Sequence, residues 1–275
     1  MRGTSPYSRK ELADFILKRL KEEKERLVHT FRDESKINSC FIDEVLPSSI
    51  AEEIYNAFPD PATMAAHKSI RENKKVAAQM DLYNPLLEEI VFAFQDRRIV
   101  KISEEITGIP NMEPDEMLYA GGISLMAPGN FLNPHLDNSH DEDRSRYRVL
   151  NLLYYVSPNW TLGNGGNLEL WDNGVTGSPR TIVSQFNRLA LMITNKSSYH
   201  SVSKVTADQN RCCISNYYFS KEAAENQTYF HVTSFYGRPE EPLKNILLKI
   251  DRNLRQFIRK ITGKRIVKTK HIYKK

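Results

Sequence analysis

Cysteines, long apolar runs and glycine-rich phosphate loops are few or missing in this sequence. Three of the 275 residues are cysteines, Cys40, Cys212 and Cys213, and their odd number argues against a disulfide framework. We therefore expect a reducing, cytoplasmic compartment. The sequence contains no CxxC pair, so it gives no indication of a thiolate metal site. No segment approaches the roughly 18 consecutive apolar residues of a membrane span, and the N-terminus lacks the apolar centre of a secretory signal.

The net charge of +5 is distributed unevenly along the chain. Residues 243–275 contain twelve Lys or Arg and a single acid, Asp251, so they carry +11 and the other residues carry −6. A mildly acidic body without basic, aromatic-rich segments predicts no nucleic-acid partner.

Helical patterns dominate the first part of the chain, and strand patterns follow after residue 118. The predicted helices cover 8–31, which begins with a Ser8–Glu11 capping box, then 50–58 and 84–107, with a short strand at 40–47 between the first two. Residues 62–82 show no clear period. The later β-branched and aromatic runs lie at 120–127, 147–157, 166–171, 181–183, 188–194, 201–206 and 211–219. Their spacing predicts an antiparallel sandwich or barrel.

A set of metal-ligand residue types lies in this strand region. His135 and Asp137 are two residues apart, so in a strand they point the same way and can bind one ion. His200 ends a later apolar strand, and Arg211 begins the next one. Two imidazoles and one carboxylate leave three metal positions open, as in non-haem Fe(II) oxygenases. An Arg can pair bidentately with the carboxylate of an oxoacid. With a period of two, Ser215 lies on the same face as Arg211.

The segments RVLNLLYYVSPNW (148–160), GGNLELW (165–171) and RCCISNYYF (211–219) resemble the prolyl-4-hydroxylase-like branch of the 2-oxoglutarate/Fe(II) oxygenases. The resemblance covers residues 41 to about 220 and implies an α+β fold, with a double-stranded β-helix (jelly-roll) core and supporting helices. It implies iron at His135, Asp137 and His200, and the oxoacid carboxylate at Arg211. It also implies that Tyr155 donates to that carboxylate and that Ser215 occupies a polar position. Leu125 departs from the pattern, because some members carry a tyrosine there.

The resemblance implies Fe(II), 2-oxoglutarate and O2 as cofactors and cosubstrates, with ascorbate as a further candidate. Because Asp137 keeps its carboxylate, we expect C–H hydroxylation with release of succinate and CO2, rather than halogenation. We expect a small-molecule or cell-envelope precursor as substrate. Peptidyl proline is the alternative, and a catalytically inactive jelly-roll binding module or a cupin-type isomerase is the alternative from another class. His140 is interpreted as an exposed loop residue, and Arg148 as an ion-pair partner.

Three parts of the chain are expected: an N-terminal helix in 1–37, the oxygenase jelly-roll with its helices in 38–240, and a basic amphipathic helix and tail in 241–275. The tail's apolar residues follow helical spacing, namely Leu243, Ile246, Leu247, Ile250, Leu254, Phe257, Ile258 and Ile261. One interpretation is that this stripe docks on the body or on a second subunit. The other is that it holds the enzyme peripherally at the anionic inner face of a membrane.

Overall fold

The computed structural model describes residues 3–225, 228–250, 273 and 274. The helices are α1 (Arg9–Glu22), α2 (Lys24–Phe31), α3 (Ser48–Asn56), α4 (Pro85–Ala93), α5 (Arg97–Thr107) and α6 (242–250), with 3-10 turns at Pro61–Thr63, Met80–Leu82 and Leu162–Asn164. The strands are β1 (Ser39–Ile42), β2 (Ala65–Lys68), β3 (Glu72–Ala77), β4 (Glu113–Pro114), β5 (Gly122–Met126), β6 (Phe131–Leu136), β7 (Tyr147–Tyr155), β8 (Leu168–Leu170), β9 (Arg180–Ile182), β10 (Arg188–Ile193), β11 (His200–Val202), β12 (Arg211–Ser220) and β13 (Ser234–Phe235). Within the described residues, no helix has the length and apolar character to cross a membrane.

Two of the predicted helices are each divided in two. The predicted helix over 8–31 begins with the expected Ser8–Glu11 capping box, but it breaks at Glu23, whose backbone angles are φ −102° and ψ 6°. The predicted helix over 84–107 breaks before Asp96, because the Asp96 side chain accepts from the Arg98 amide and begins α5. Neither break is marked by proline or glycine, and the apolar spacing continues through both. The sequence pattern therefore did not indicate either break.

The strands form the predicted jelly-roll through antiparallel pairings throughout. One half of the sheet runs β1-β10-β7-β12-β5, and the other half runs β6-β11-β8-β9. Strand β3 joins the halves, since residues 75–77 pair with β5 and residues 72–73 pair with β6. This link nearly closes the sheet into a barrel with an internal cavity.

Alternation along β12 divides its side chains between the helices and the cavity. On the outer side, Asn216 donates to the Val91 carbonyl at 3.1 Å and the Tyr218 hydroxyl donates to the Phe94 carbonyl, so α4 is fastened to the sheet. On the inner side, the cavity is lined by Arg211, Cys213, Ser215 and Tyr217. The predicted shared face of Arg211 and Ser215 is therefore confirmed, and Cys213 and Tyr217 lie on it as well.

Two strand features differ from the sequence prediction. The residues between 62 and 82, which have no clear period, form the β2–β3 hairpin. His135 lies in a strand of its own, which the predicted runs did not include. A turn at Ala127–Asn130 separates the predicted run at 120–127 from β6, the strand that contains His135. Pro134 disfavoured a strand at this position, yet its carbonyl accepts from the Tyr236 amide at 2.8 Å.

The C-terminal helix is present, but its described apolar stripe faces outward. Leu243, Ile246, Leu247 and Ile250 are exposed, whereas Leu248 is buried against the body. The other predicted stripe residues, Leu254, Phe257, Ile258 and Ile261, lie outside the described residues. Tyr273 also contacts the body, since it donates from its amide to the Met117 carbonyl at 2.8 Å and from its hydroxyl to Glu88 at 2.6 Å.

Candidate metal and oxoacid site

The three predicted metal ligands lie together in the structure. His135 and His200 are direct partners on the neighbouring strands β6 and β11, and their ring centroids are 4.1 Å apart. Asp137 directly follows β6, and one candidate ligand atom from each residue lies within 4.8 Å of the others. All three side chains are largely buried. The three side chains can therefore bind one metal ion from one side and leave its other coordination positions open.

Backbone hydrogen bonds determine which imidazole nitrogens face the ion. His135 Nδ1 lies 3.0 Å from the Asn133 carbonyl, and His200 Nδ1 lies 2.9 Å from the Ser198 carbonyl. Because a carbonyl can only accept, both Nδ1 atoms carry the proton and both Nε2 atoms are free to bind metal. Burial, with a smaller effect of the neighbouring His135, lowers the pKa of His200 to about 4, so His200 is a neutral ligand at physiological pH.

Two residues on β7 hold the Asp137 carboxylate. Its Oδ2 atom accepts from Asn151 Nδ2 at 2.9 Å and lies 3.2 Å from Arg148 Nη1. Burial alone would raise the pKa of Asp137, but the Arg148 guanidinium and the two imidazoles hold it well below its usual value. Thr194 donates to Asn151 Oδ1 at 2.9 Å, which turns the amide nitrogen toward the carboxylate. The carboxylate is therefore ionised and fixed in orientation before a metal binds.

Arg211 lines the same cavity, and two further polar side chains, Ser184 and Tyr155, lie beside it. Arg211 is only 3% exposed, donates from Nε to Ser184 at 3.1 Å and lies with Cζ 4.8 Å from the Tyr155 ring centroid. Among the described residues, no carboxylate forms an ion pair with Arg211, and the buried Tyr155 hydroxyl has no hydrogen-bond partner. A buried cation and an unpartnered hydroxyl side by side fit one carboxylate of a bound oxoacid.

Comparison with known proteins agrees with this geometry. Residues 121–219 match the model of the 2OG-Fe(II) oxygenase superfamily, and this span contains all three candidate metal ligands and Arg211. Over these residues the chain is similar to the 2OG-Fe(II) oxygenases. Oxygenases of this family use Fe(II), 2-oxoglutarate and O2, and the donor types present here suit that set.

Similar proteins include the prolyl 3-hydroxylase OGFOD1 of Mus musculus, which is 30% identical over 96 residues. That match covers 33% of this chain and 17% of the mouse protein, so the chain matches only a small part of that relative. A prolyl 4-hydroxylase structure from Phytophthora capsici has a TM-score of 0.53 at 15% identity, and covers 91% of this chain and 77% of its own. The epimerase SnoN of nogalamycin biosynthesis has a TM-score of 0.50 at 12% identity, with 73% and 84% covered. Both structures share the fold of this chain.

Several positions in the candidate site differ from the sequence prediction. The serine hydroxyl that contacts Arg211 is that of Ser184, and the role of Ser215 stays a prediction. Arg148 is an ion-pair partner as expected, but it is buried and its partner is a metal ligand. Asn151 was missed, although a polar residue within the apolar run LNLLYYV is a recognisable signal.

His140 is not the exposed loop residue that the polar sequence NSHDED predicted. It is 9% exposed, because an isolated bridge to Tyr147 holds its ring 4.2 Å from the Tyr147 ring, centroid to centroid. Its Nδ1 atom is 2.8 Å from the Ser139 hydroxyl. It does not belong to the metal-ligand group found among the described residues.

A segment beyond the matched residues contacts the candidate site. Strand β13 pairs with β6 and places the Phe235 ring in a stack on His135, with centroids 5.1 Å apart and planes 18° apart. Arg238 fastens this segment, because it donates to the buried Glu169 at 2.5 Å, and Ser201 donates to the same carboxylate at 2.6 Å. No local pattern in the sequence indicates that Phe235 would cover a metal ligand.

Partly exposed lining residues lie on the β2–β3 hairpin and on the loop before β5, and we call this part of the cavity wall the cavity entrance. His67 and Lys74 on the hairpin and Tyr119 on the loop line the cavity together with the candidate ligands. Asp137 is the only carboxylate among the described lining residues. Apart from the Asp137 carboxylate, the described lining residues thus present only cationic and neutral groups to a substrate.

Proposed function

We propose that the chain is an Fe(II)- and 2-oxoglutarate-dependent hydroxylase, with iron at His135, Asp137 and His200. The oxoacid carboxylate would bind Arg211, with Tyr155 as an additional donor. One observation carries this proposal: a three-residue metal-ligand group and a buried guanidinium without a carboxylate partner line the same cavity. When bound, the iron and the oxoacid supply the oxidising chemistry, and the oxoacid leaves as succinate and CO2.

The protein residues contribute binding, orientation and charge. The Nδ1–H bonds of His135 and His200 keep both Nε2 atoms directed at the ion. Arg148 and Asn151 keep the Asp137 carboxylate ionised and in place. The carboxylate would then occupy the metal position that a halide would need in a halogenase. The free cysteines in the described structure agree with a reducing, cytoplasmic location, which we include in the proposal.

For the substrate we propose a small molecule or cell-envelope precursor that is neutral or anionic near the hydroxylated carbon. Lys74 lines the entrance, where Glu72 is its partner at 3.0 Å, and Asp137 is the only described carboxylate of the cavity wall. A cationic substrate would meet Lys74, whose acidic partner Glu72 lies outside the cavity lining, and Arg211, which has no described acidic partner. Lys74→Gln should therefore raise the substrate KM, whereas Lys74→Arg should retain it.

Peptidyl proline is the second candidate substrate, and the mouse relative named as a prolyl 3-hydroxylase favours it. Mass spectrometry separates the two candidates, since proline-containing peptides or candidate precursors would gain one oxygen atom only with Fe(II), 2-oxoglutarate and O2 present. Gain of oxygen on a peptide at proline would replace the small-molecule proposal.

Succinate formation tests the reaction itself. The wild-type protein should convert 2-oxoglutarate to succinate with Fe(II) and O2, and His200→Ala should abolish this conversion. His29→Ala is a matched control, because His29 is exposed on α2 and distant in the fold from the cavity residues. No succinate from correctly folded, iron-loaded wild-type protein with any candidate substrate would favour an inactive binding module.

A further inference from the structure

Helix α6 is held against the body in a definite orientation. Leu248 is 1% exposed, and the Lys244 ammonium lies 4.5 Å from the centroid of the Phe131 ring. The Gly237 amide donates to Asn245 Oδ1 at 3.2 Å. A Cβ on Gly237 would lie 2.4 Å from the Asn245 Cα, so only glycine permits this close approach of the helix. These contacts determine which face of α6 points away from the body.

The outward face of α6 is an apolar stripe without a described partner. Leu243 is 79% exposed, Ile246 57%, Leu247 56% and Ile250 59%. Their spacing of three, one and three residues places them on one side of the helix. Single exposed aliphatic residues are ordinary on protein surfaces, but four on two helical turns mark an interaction surface. We call these four residues the α6 stripe.

The α6 stripe lies near the cavity entrance. Lys244 contacts Phe131, the first residue of β6, and Phe131 also pairs with Asn73 on the β2–β3 hairpin. The exposed Ile70 at the tip of that hairpin accepts from Asn133 of β6 at 2.8 Å through its carbonyl. The hairpin that lines the entrance and the helix that bears the stripe thus meet at the same end of β6.

The charge of the C-terminal segment indicates what the α6 stripe contacts. The segment 243–275, which begins with the stripe, has twelve basic residues and one acidic residue. An apolar helix face combined with a high density of Lys and Arg suits the headgroup region of an anionic bilayer, where both features contribute to binding. Since no described helix can cross a membrane, such binding would be peripheral.

We propose that the α6 stripe and the basic segment that follows hold the enzyme on an anionic membrane surface, with the cavity entrance beside the lipid headgroups. This inference does not depend on the identity of the substrate. It requires that the stripe contact lipid, so substitutions in the stripe should affect membrane binding and leave the fold unchanged.

Flotation of the full-length protein with vesicles tests the proposal. We expect binding to phosphatidylglycerol–phosphatidylcholine vesicles at low salt, little binding to pure phosphatidylcholine, and weaker binding at high salt. The double variant Ile246→Ser/Leu247→Ser should bind anionic vesicles about 100-fold or more weakly, because two large aliphatic side chains no longer enter the bilayer. Leu82→Ser/Leu162→Ser is the control, since both leucines are exposed outside α6, and it should bind as wild type does.

Unchanged thermal stability of both double variants would show that neither has lost its fold. Absence of wild-type binding to anionic vesicles at low salt would overturn the proposal, as would equal binding by the stripe variant and the control. Wild-type dimers that the stripe substitutions dissociate, without any vesicle binding, would also overturn it and assign the stripe to a second copy of the chain.

Discussion

Loss of Asp137 should destabilise the metal-free protein more than loss of another metal ligand. Arg148 is 4% exposed, and Asp137 is the only described acid that forms an ion pair with it. Removing one member of a buried pair costs about 3–5 kcal/mol. Arg148 would keep the Asn138 side-chain carbonyl at 2.8 Å and the Tyr217 ring at 4.5 Å, so we expect the lower end, about 3 kcal/mol.

Urea denaturation of metal-free protein measures this loss. His200→Ala is the matched comparison, because it removes a buried imidazole that has one hydrogen bond and, being neutral, forms no ion pair with Asp137, at a cost of about 1 kcal/mol. Asp137→Ala should therefore unfold at clearly lower urea than His200→Ala, although both lose turnover. The double variant Asp137→Ala/Arg148→Met should recover most of the difference, since replacing both charges with apolar groups is close to neutral.

Two results would refute this reasoning. Equal free energies of unfolding for Asp137→Ala and His200→Ala would mean that Arg148 does not depend on Asp137 for its charge balance. A double variant no more stable than Asp137→Ala would mean that the loss comes from packing around residue 137 rather than from an unpaired guanidinium.

Three further variants test the groups around the ion and the oxoacid. Arg211→Met should raise the oxoglutarate KM by about 10- to 200-fold with iron affinity retained, and an unchanged KM would remove the oxoacid role from Arg211. Tyr155→Phe should raise the same KM by about fivefold, since it removes one neutral donor. Phe235→Leu should weaken Fe(II) binding in a calorimetric titration by about 2- to 12-fold, because it removes the ring stacked on His135. Unaltered Fe(II) affinity in Phe235→Leu would limit Phe235 to packing.

Local periodicity explains why much of the fold was predictable. The strand runs after residue 118 each correspond to a strand, because alternation and turn residues are properties of short segments. The β2–β3 hairpin was not predictable in this way, since its residues are half-buried and polar, and its pairing depends on β5 and β6. The break at Asp96 was also missed, because an N-cap inside a continuous apolar stripe gives a weak signal.

The tail illustrates the limit of periodicity. The spacing of Leu243, Ile246, Leu247 and Ile250 correctly predicted a helix with an apolar side, but it carried no information on what that side contacts. In the structure Leu248, which is not part of that spacing, is the buried residue of α6. The close approach of Asn245 to Gly237 sets the rotation of the helix, and this contact is tertiary.

The sequence by itself determined the donor types and which side chains share a face along one strand. His135 and Asp137, and likewise Arg211 and Ser215, follow from a period of two. Only the tertiary structure decided which residues from distant strands contact these side chains. His200 lies opposite His135, and Arg148 pairs with Asp137. Ser184 rather than Ser215 contacts Arg211. The physical reason is that the register between strands distant in the chain depends on the packing of the whole barrel, whereas alternation depends only on the backbone of a single strand.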